Sequence, residues 1–282
     1  MAVVPGPTGS MLLAADAVVA GVHCDLELVG LDDMGWKAVV ANVSDVAAMG
    51  GRPCFALVTV AGPLAQLDFD LLYDGLTAAS DAYECPIVGG DLSTSATLVV
   101  AVAIVGDGGH PVPPPVLRSG ARPGDVLFVT GPLGSSAAGL ELLRVGSSSE
   151  APDLVLSHRR PRARLDEGTA ARVGGATAMI AVSDGLASDL RHLADASGVG
   201  VVLDRVPVAI GVSRVSDDAE AMALGGGEDY ELLFAAPYPD RSEAVFAERG
   251  LGTPLRSGRC TGDPGERRLR DNDLPVLGWE HR

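Results

Sequence analysis

The feature that most constrains this chain is a break. The stretch "HPVPPPVLRSGARPGD" at residues 110–125 sets four prolines within the six positions 110–115. Proline fixes φ and lacks an N–H, so neither a helix nor an interior strand continues through such a run. On both sides of it, short apolar, β-branched runs alternate with segments that repeat Ala, Leu and Met at helical spacing. Ahead of the break, 11–24 and 54–62 read as buried strands, 33–50 and 70–84 as helices, and 85–90 and 96–108 as a further strand pair. Behind it, "VLFVTGPLGSSAAGLELLR" reads as strand, Gly-rich turn and helix, and "AMIAVSDGLASDLRHLADASGVGVVL" as strand, turn, helix and strand. "GSSSEAP" at 146–152 reads as a loop, and no fixed-period repeat is present. The alternation predicts an α/β (α+β) chain in two domains, and 282 residues are enough for two cores.

Composition narrows the partners. A net charge of −16 argues against nucleic acid and anionic membrane surfaces, both of which need basic patches. A small ligand is the expectation. Of the 21 Lys and Arg side chains only Lys37 is a lysine, and no G-x-x-x-x-G-K-[ST] run occurs. Phosphate chemistry here would therefore rest on backbone amides, arginine or metal ions. Cys24, Cys54, Cys85 and Cys260 form no C-x-x-C and read as buried thiols of a reducing compartment. No apolar run has membrane-spanning length, and the apolar N-terminal stretch carries Asp16 without a basic flank. The expectation is a cytoplasmic protein.

Four acids stand out. Asp45 lies in the helical, small-residue run "ANVSDVAAMGGRP", where a carboxylate is costly unless paired or metal-bound. Asp16, Asp91 and Asp184 each follow an apolar strand-like run. Carboxylates at strand ends would converge on one rim of a sheet, where Mg²⁺ could bridge them to phosphate oxygens. Taken singly, each is equally readable as a helix cap or turn residue.

The segments "DAVVAGVHCD", "GWKAVVANVSDVAAMGGRP", "PIVGGDLS", "RSGARPGDVLFVTGPLGSSAAGL", "SDGLASDLRHLADASGVG", "GGGEDYELLF" and "GWEH" together resemble the thiamine-monophosphate kinase family. That family is part of the superfamily that includes aminoimidazole ribonucleotide synthetase and selenophosphate synthetase. The resemblance implies a PurM-like fold: an N-terminal ATP- and Mg²⁺-binding domain, 1–112, that makes a homodimer through its sheet, and a C-terminal domain, 113–282. It implies transfer of the ATP γ-phosphate directly onto thiamine monophosphate, with ATP as co-substrate and several Mg²⁺ ions. By resemblance Asp16, Asp45 and Asp91 are the catalytic, metal-holding acids, and Asp184 is a fourth metal ligand. Tyr73, Gly90, Arg118 and Ser183 contact the nucleotide, and His23, Glu228 and Trp279 contact thiamine monophosphate.

Three departures touch that chemistry. The acids of the family's "GDDAA" segment do not precede the AVV of "MAVVPGPTGS", which leaves open a truncated start or a missing ligand. Ala14 and Ala15 occupy the place of a hydroxyl pair, and Ala181 that of an acid. Each lost oxygen lowers Mg²⁺ affinity, so a nucleotide-binding protein of reduced or absent turnover, or another ATP-dependent enzyme of the superfamily, stays open as an alternative.

Overall fold

The structure, a computed structural model, describes residues 2–5 as backbone, 9–109 and 113–279. Positions 110–112, where the expected domain boundary falls, and the last residues of "GWEH" lie outside the described residues. Two sheets flank the proline run. The first contains β1 (Ala2–Pro5), β2 (Ser10–Val19), β3 (Arg52–Gly62), β4 (Ile87–Thr94) and β5 (Val99–Asp107) in the order β1-β2-β5-β3-β4. Helices α1 (Leu31–Ala48) and α2 (Phe69–Ala82) cover one of its faces.

The second sheet contains β6 (Val126–Val129), β7 (Ala178–Ala181), β8 (Gly200–Leu203), β9 (Leu232–Ala236), β10 (Leu255–Thr261), β11 (Arg267–Leu269) and β12 (Asn272–Asp273), ordered β12-β11-β8-β10-β6-β9-β7. Its helices are α3 (Ser135–Arg144), α4 (Pro152–Arg159), α5 (Leu165–Gly174), α6 (Leu186–Ser197), α7 (Ala219–Gly225) and α8 (Pro239–Glu248).

Alternation dictates the faces. In the first sheet Leu12, Ala14 and Val18 of β2, Val58 and Val60 of β3, and Val100, Val102 and Ile104 of β5 are buried toward α1. The intervening Leu13, Ala15, Phe55, Leu57 and Ala103 form an exposed outer face. Helix α1 is apolar on almost every side because it is buried on both: Met34, Val39, Val43 and Val46 belong to one core that runs from Val58 and Val102 through to Phe128, Phe234 and Phe246 of the second unit. Each such fully buried aliphatic side chain contributes about 1.5–3 kcal/mol. A second core, with Leu127, Leu190, Leu193 and Leu233, lies between the far face of the second sheet and α6.

Close approach fixes α1 from two sides. A Cβ at Gly75 of α2 would lie 1.8 Å from the Asp32 carbonyl oxygen, and one at Gly168 of α5 would lie 2.1 Å from that of Ala47. Two helices therefore contact α1 backbone to backbone.

The structure corrects three expectations. The first strand ends at Val19, not residue 24, because Gly21 turns the chain at φ +79°. Asp16 and Asp91 lie inside β2 and β4 rather than at strand ends. Asp16 is exposed although it shares its face of β2 with Ala14 and Val18, and β4 is an edge strand exposed from Val88 onward, so neither acid sits buried within its strand. Cys54 is exposed, at a register shift in β3, unlike the other three thiols.

Gly75→Ala tests the α1–α2 contact. Helix propensity alone would favour alanine by about 1 kcal/mol, but overpacking against a carbonyl costs about 1–3 kcal/mol or more, so the variant should unfold at lower denaturant concentration than wild type.

Candidate functional site

The turn after β7 organises the site. Gly185 adopts φ +108°, and a Cβ there would press on the Leu224 and Gly225 backbone, so the chain reverses sharply from Asp184 into α6. The carbonyls of this turn are taken by two distant segments: the Glu228 N–H donates to Ser183 at 2.8 Å and the Trp279 N–H to Asp184 at 2.9 Å. The Trp279 ring meets the His23 ring at 6.4 Å between centroids, tilted by 55°. His23 is oriented by the Val19 N–H, which donates to its Nδ1 at 3.1 Å. Ser183, Asp184, His23, Glu228 and Trp279 thus converge although they span most of the chain.

The run "GGGEDYEL" divides its acids between two tasks. Asp229 accepts the N–H groups of Gly134 (2.7 Å) and Ser136 (3.0 Å), satisfying the start of α3. Glu231 is buried, accepts the Thr130 hydroxyl at 2.6 Å and pairs with Arg164. Glu228 and Tyr230 both take left-handed backbone, φ 66° and 52°, a conformation held only where surroundings over-determine it. That geometry turns Glu228 toward α1, where its Oε2 accepts from Lys37 Nζ at 2.9 Å.

The acids group in pairs. The Asp16 N–H donates to Asn42 Oδ1 at 3.0 Å, one turn before Asp45 on α1. Burial, then the neighbouring Asp16 carboxylate, push Asp45 up to about 6, with Arg118 acting in the opposite direction. Asp189 of α6 is 2% exposed and accepts the Asp184 N–H at 3.0 Å. Burial, then Asp184, push it up to about 7, again against Arg118, whose guanidinium therefore acts on both pairs. Tyr230 stands between the groups: burial, then Glu228, Asp16, Asp45 and Asp184, raise its hydroxyl well above the ordinary range.

Asp91 stands apart. The register runs Asp16–Val102–Val58–Gly90, which puts the β4 acid three strand spacings, roughly 14 Å, from β2. It accepts the Ser93 hydroxyl at 2.8 Å and borders a groove of about 810 Å³ that Tyr73, Thr77, Val58 and Gly90 also line. Gly90 admits no side chain, since a Cβ would lie 1.7 Å from the Val58 carbonyl oxygen. Among the described residues no three His, Cys, Asp or Glu side chains stand close enough together to hold one metal ion. The expected acids are present as an Asp16–Asp45 pair, an Asp184–Asp189 pair and a separate Asp91.

Asp189, Lys37 and His158 were not singled out from the sequence as site residues. Asp189 carried a usable signal, a second acid one turn into the helix after "SDGLAS". Lys37 carried another, its isolation among arginines.

Both halves of the chain fall in one class. Residues 1–107 match the AIR synthase related protein N-terminal domain and 122–267 its C-terminal domain. The thiamine-monophosphate kinase of Salmonella typhimurium (strain LT2) is 37% identical over 284 residues, covering 96% of this chain and 85% of that protein. That of Halobacterium salinarum is 40% identical over 254 residues, covering 88% and 83%. The AaThiL structure complexed with AMPPCP and TMP has a TM-score of 0.89 at 33% identity, covering 100% of this chain and 90% of that one. The chain belongs to the thiamine-monophosphate kinase family.

The raised carboxyls set a pH dependence. Asp189 keeps its proton in the folded state up to about pH 7 but would lose it near its ordinary 3.8 when unfolded, so between those values folding takes up a proton and stability falls as pH rises. Asp189→Asn should flatten that slope by on the order of 1–3 kcal/mol between pH 4 and 8, read from urea unfolding at each pH.

Proposed function

We propose that this chain transfers the γ-phosphate of ATP onto the phosphate of thiamine monophosphate, giving thiamine diphosphate and ADP. The observation that carries this reading is the convergence of His23, Glu228 and Trp279 on the Ser183–Asp184 turn, with the Asp16–Asp45 pair reached through Tyr230. A carboxylate and an indole face suit a cationic thiazolium, and His23 borders the indole. Tyr73, Gly90 and Asp91 share a groove suited to a nucleotide, and Arg118 and Ser183 are assigned to its phosphates.

The donor set fits Mg²⁺. Asp16, Asp45, Asp91 and Asp184 make no ion pair with an arginine, lysine or histidine among the described residues, and Asp45 is a half-buried carboxylate raised first by desolvation and then by a like-charged neighbour. Mg²⁺ commonly uses one or two carboxylates together with substrate phosphates and waters, which pairs of acids satisfy without a three-acid cage. Asp16 with Asp45, Asp184 and, on the nucleotide side, Asp91 would hold it. Bound there, it supplies charge neutralisation between two polyanions. The acceptor is a phosphate oxygen already largely ionised at neutral pH, so no side chain needs to act as a general base. What the residues contribute is position: Glu228 and Trp279 hold the thiamine end, Arg118 and Ser183 the donor end.

A coupled ADP-release assay with ATP, Mg²⁺ and thiamine monophosphate tests the reading. Asp45→Asn should lower kcat by about 10²–10³-fold with little loss of stability, because it removes a site charge and relieves its repulsion with Asp16. No product from the wild-type chain would reject it. A second reading, nucleotide binding without turnover, draws on Ala15 and Ala181, which supply no oxygen at two of the positions where the family carries ligands. Calorimetry with a non-hydrolysable ATP analogue separates the two: binding independent of Mg²⁺ with no product supports the second.

The reading includes two units, 1–112 and 113–282, a cytoplasmic setting and a homodimer. No helix among the described residues is long and apolar enough to cross a membrane. The homodimer draws on the outer face of the first sheet, where Leu57 is 47% exposed beside Leu13, Phe55 and Ala103. Leu57→Asp should halve the mass seen by light scattering; an unchanged mass would remove that face as the interface.

A further inference from the structure

Lys37 is the only lysine in a chain whose other basic side chains are arginines, and it is 1% exposed on α1. An ammonium this far from water is costly unless its protons find acceptors. Its Nζ donates to Glu228 Oε2 at 2.9 Å and lies 3.5 Å from His158 Nε2. His158, on α4, is also buried, with Nδ1 at 3.1 Å from Ser136 Oγ and 3.6 Å from Glu228 Oε2.

The chemistry of these contacts settles the protons. An ammonium only donates, so His158 Nε2 is the acceptor and the ring proton sits on Nδ1, facing Ser136 and Glu228. Burial, then the Lys37 charge, push His158 down to about 3, so its ring is neutral at neutral pH. The Cys24 thiol, which also faces Lys37 and Glu228 and has Asp33 and Asp25 near it, is raised to about 11 by burial and is neutral too. Arg144 and Arg159 add to the positive field on His158, and Tyr230 lies beside Glu228. Glu228 is therefore the anion that balances Lys37. Its Oε2 is held from the buried side, while Oε1 accepts no hydrogen bond among the described residues and the side chain is partly exposed.

We propose that Lys37 is a positioning residue: backed by His158, it anchors Glu228 through Oε2, so that Oε1 faces a cationic organic ligand. The identity of that ligand, the thiazolium end of thiamine monophosphate, rests on the function proposed above. The anchor crosses between units, since Lys37 belongs to α1 and Glu228, His158 and Ser136 to the second half. Arginine is no substitute, because a planar fork cannot occupy a buried site shaped for a point charge.

The single lysine makes the test direct. In protein labelled with ¹³C at lysine Cε, one resonance reports Lys37. Glu228→Gln should move that resonance and lower the pH at which the amine loses its proton; an unchanged resonance and midpoint would overturn the anchor. By calorimetry, Lys37→Met should weaken thiamine monophosphate binding roughly 10–100-fold and leave the ATP analogue's Kd unchanged. Lys37→Arg should not restore binding, and Lys37→Met with Glu228→Gln should be no worse than either alone. Equal losses for both ligands, or additive losses in the double variant, would mark a merely structural lysine and overturn the proposal. A wild-type chain that binds no thiamine monophosphate, yet whose lysine resonance responds to Glu228→Gln, would uphold the anchor and remove only the ligand assignment.

Discussion

The burial of α1 between two sheets is the interaction on which the rest of the molecule depends. Its apolar side chains join the inner face of the first sheet to the Phe128, Phe234 and Phe246 layer of the second, and Gly75 and Gly168 bring two further helices against its backbone. A helix so enclosed has little freedom to rotate, because a shift of one residue would turn its apolar surface by about 100°. Every polar group it carries is consequently held in place. Asn42, Asp45 and Lys37 are such groups, and all three meet side chains or backbone of the candidate site.

That rigidity gives the electrostatics their character. Asp45 and Asp189 are acids lifted toward neutrality by burial and by a neighbouring carboxylate, with Arg118 as the cation acting on both. Lys37 and Glu228 show the opposite arrangement, a buried ammonium compensated by a partly exposed carboxylate, beside a histidine kept neutral. One side of Tyr230 is therefore short of positive charge and the other is balanced. On the proposed function, the first would suit a cation and the second a positively charged organic group.

Much of the fold was legible in the sequence. Strand and helix order came from apolar period, and the first sheet's last strand ends at Asp107 while the second sheet's first begins at Val126. Boundaries were less legible where glycine decided them: Gly21 ends β2 five residues before the apolar run does. The site was legible as a set of residue types but not as an arrangement. Asp16 and Asp91 look alike as acids after apolar runs, yet the strand order β2-β5-β3-β4 parts them, and strand order is not encoded in period. Lys37, legible in the sequence only as an isolated lysine among arginines, faces Glu228 from the other half of the chain.

By itself the sequence determined what each segment could become, because period, turn residues and side-chain chemistry are local properties, and it carried the family motifs in order along nearly the whole chain. Only the tertiary structure decided which of those chemistries meet. Contacts between Lys37 and Glu228, His23 and Trp279, or Asp184 and Trp279 join residues far apart along the chain, and such long-range pairings are not encoded in local period; for Lys37, burying α1 between two sheets fixes which way the side chain points.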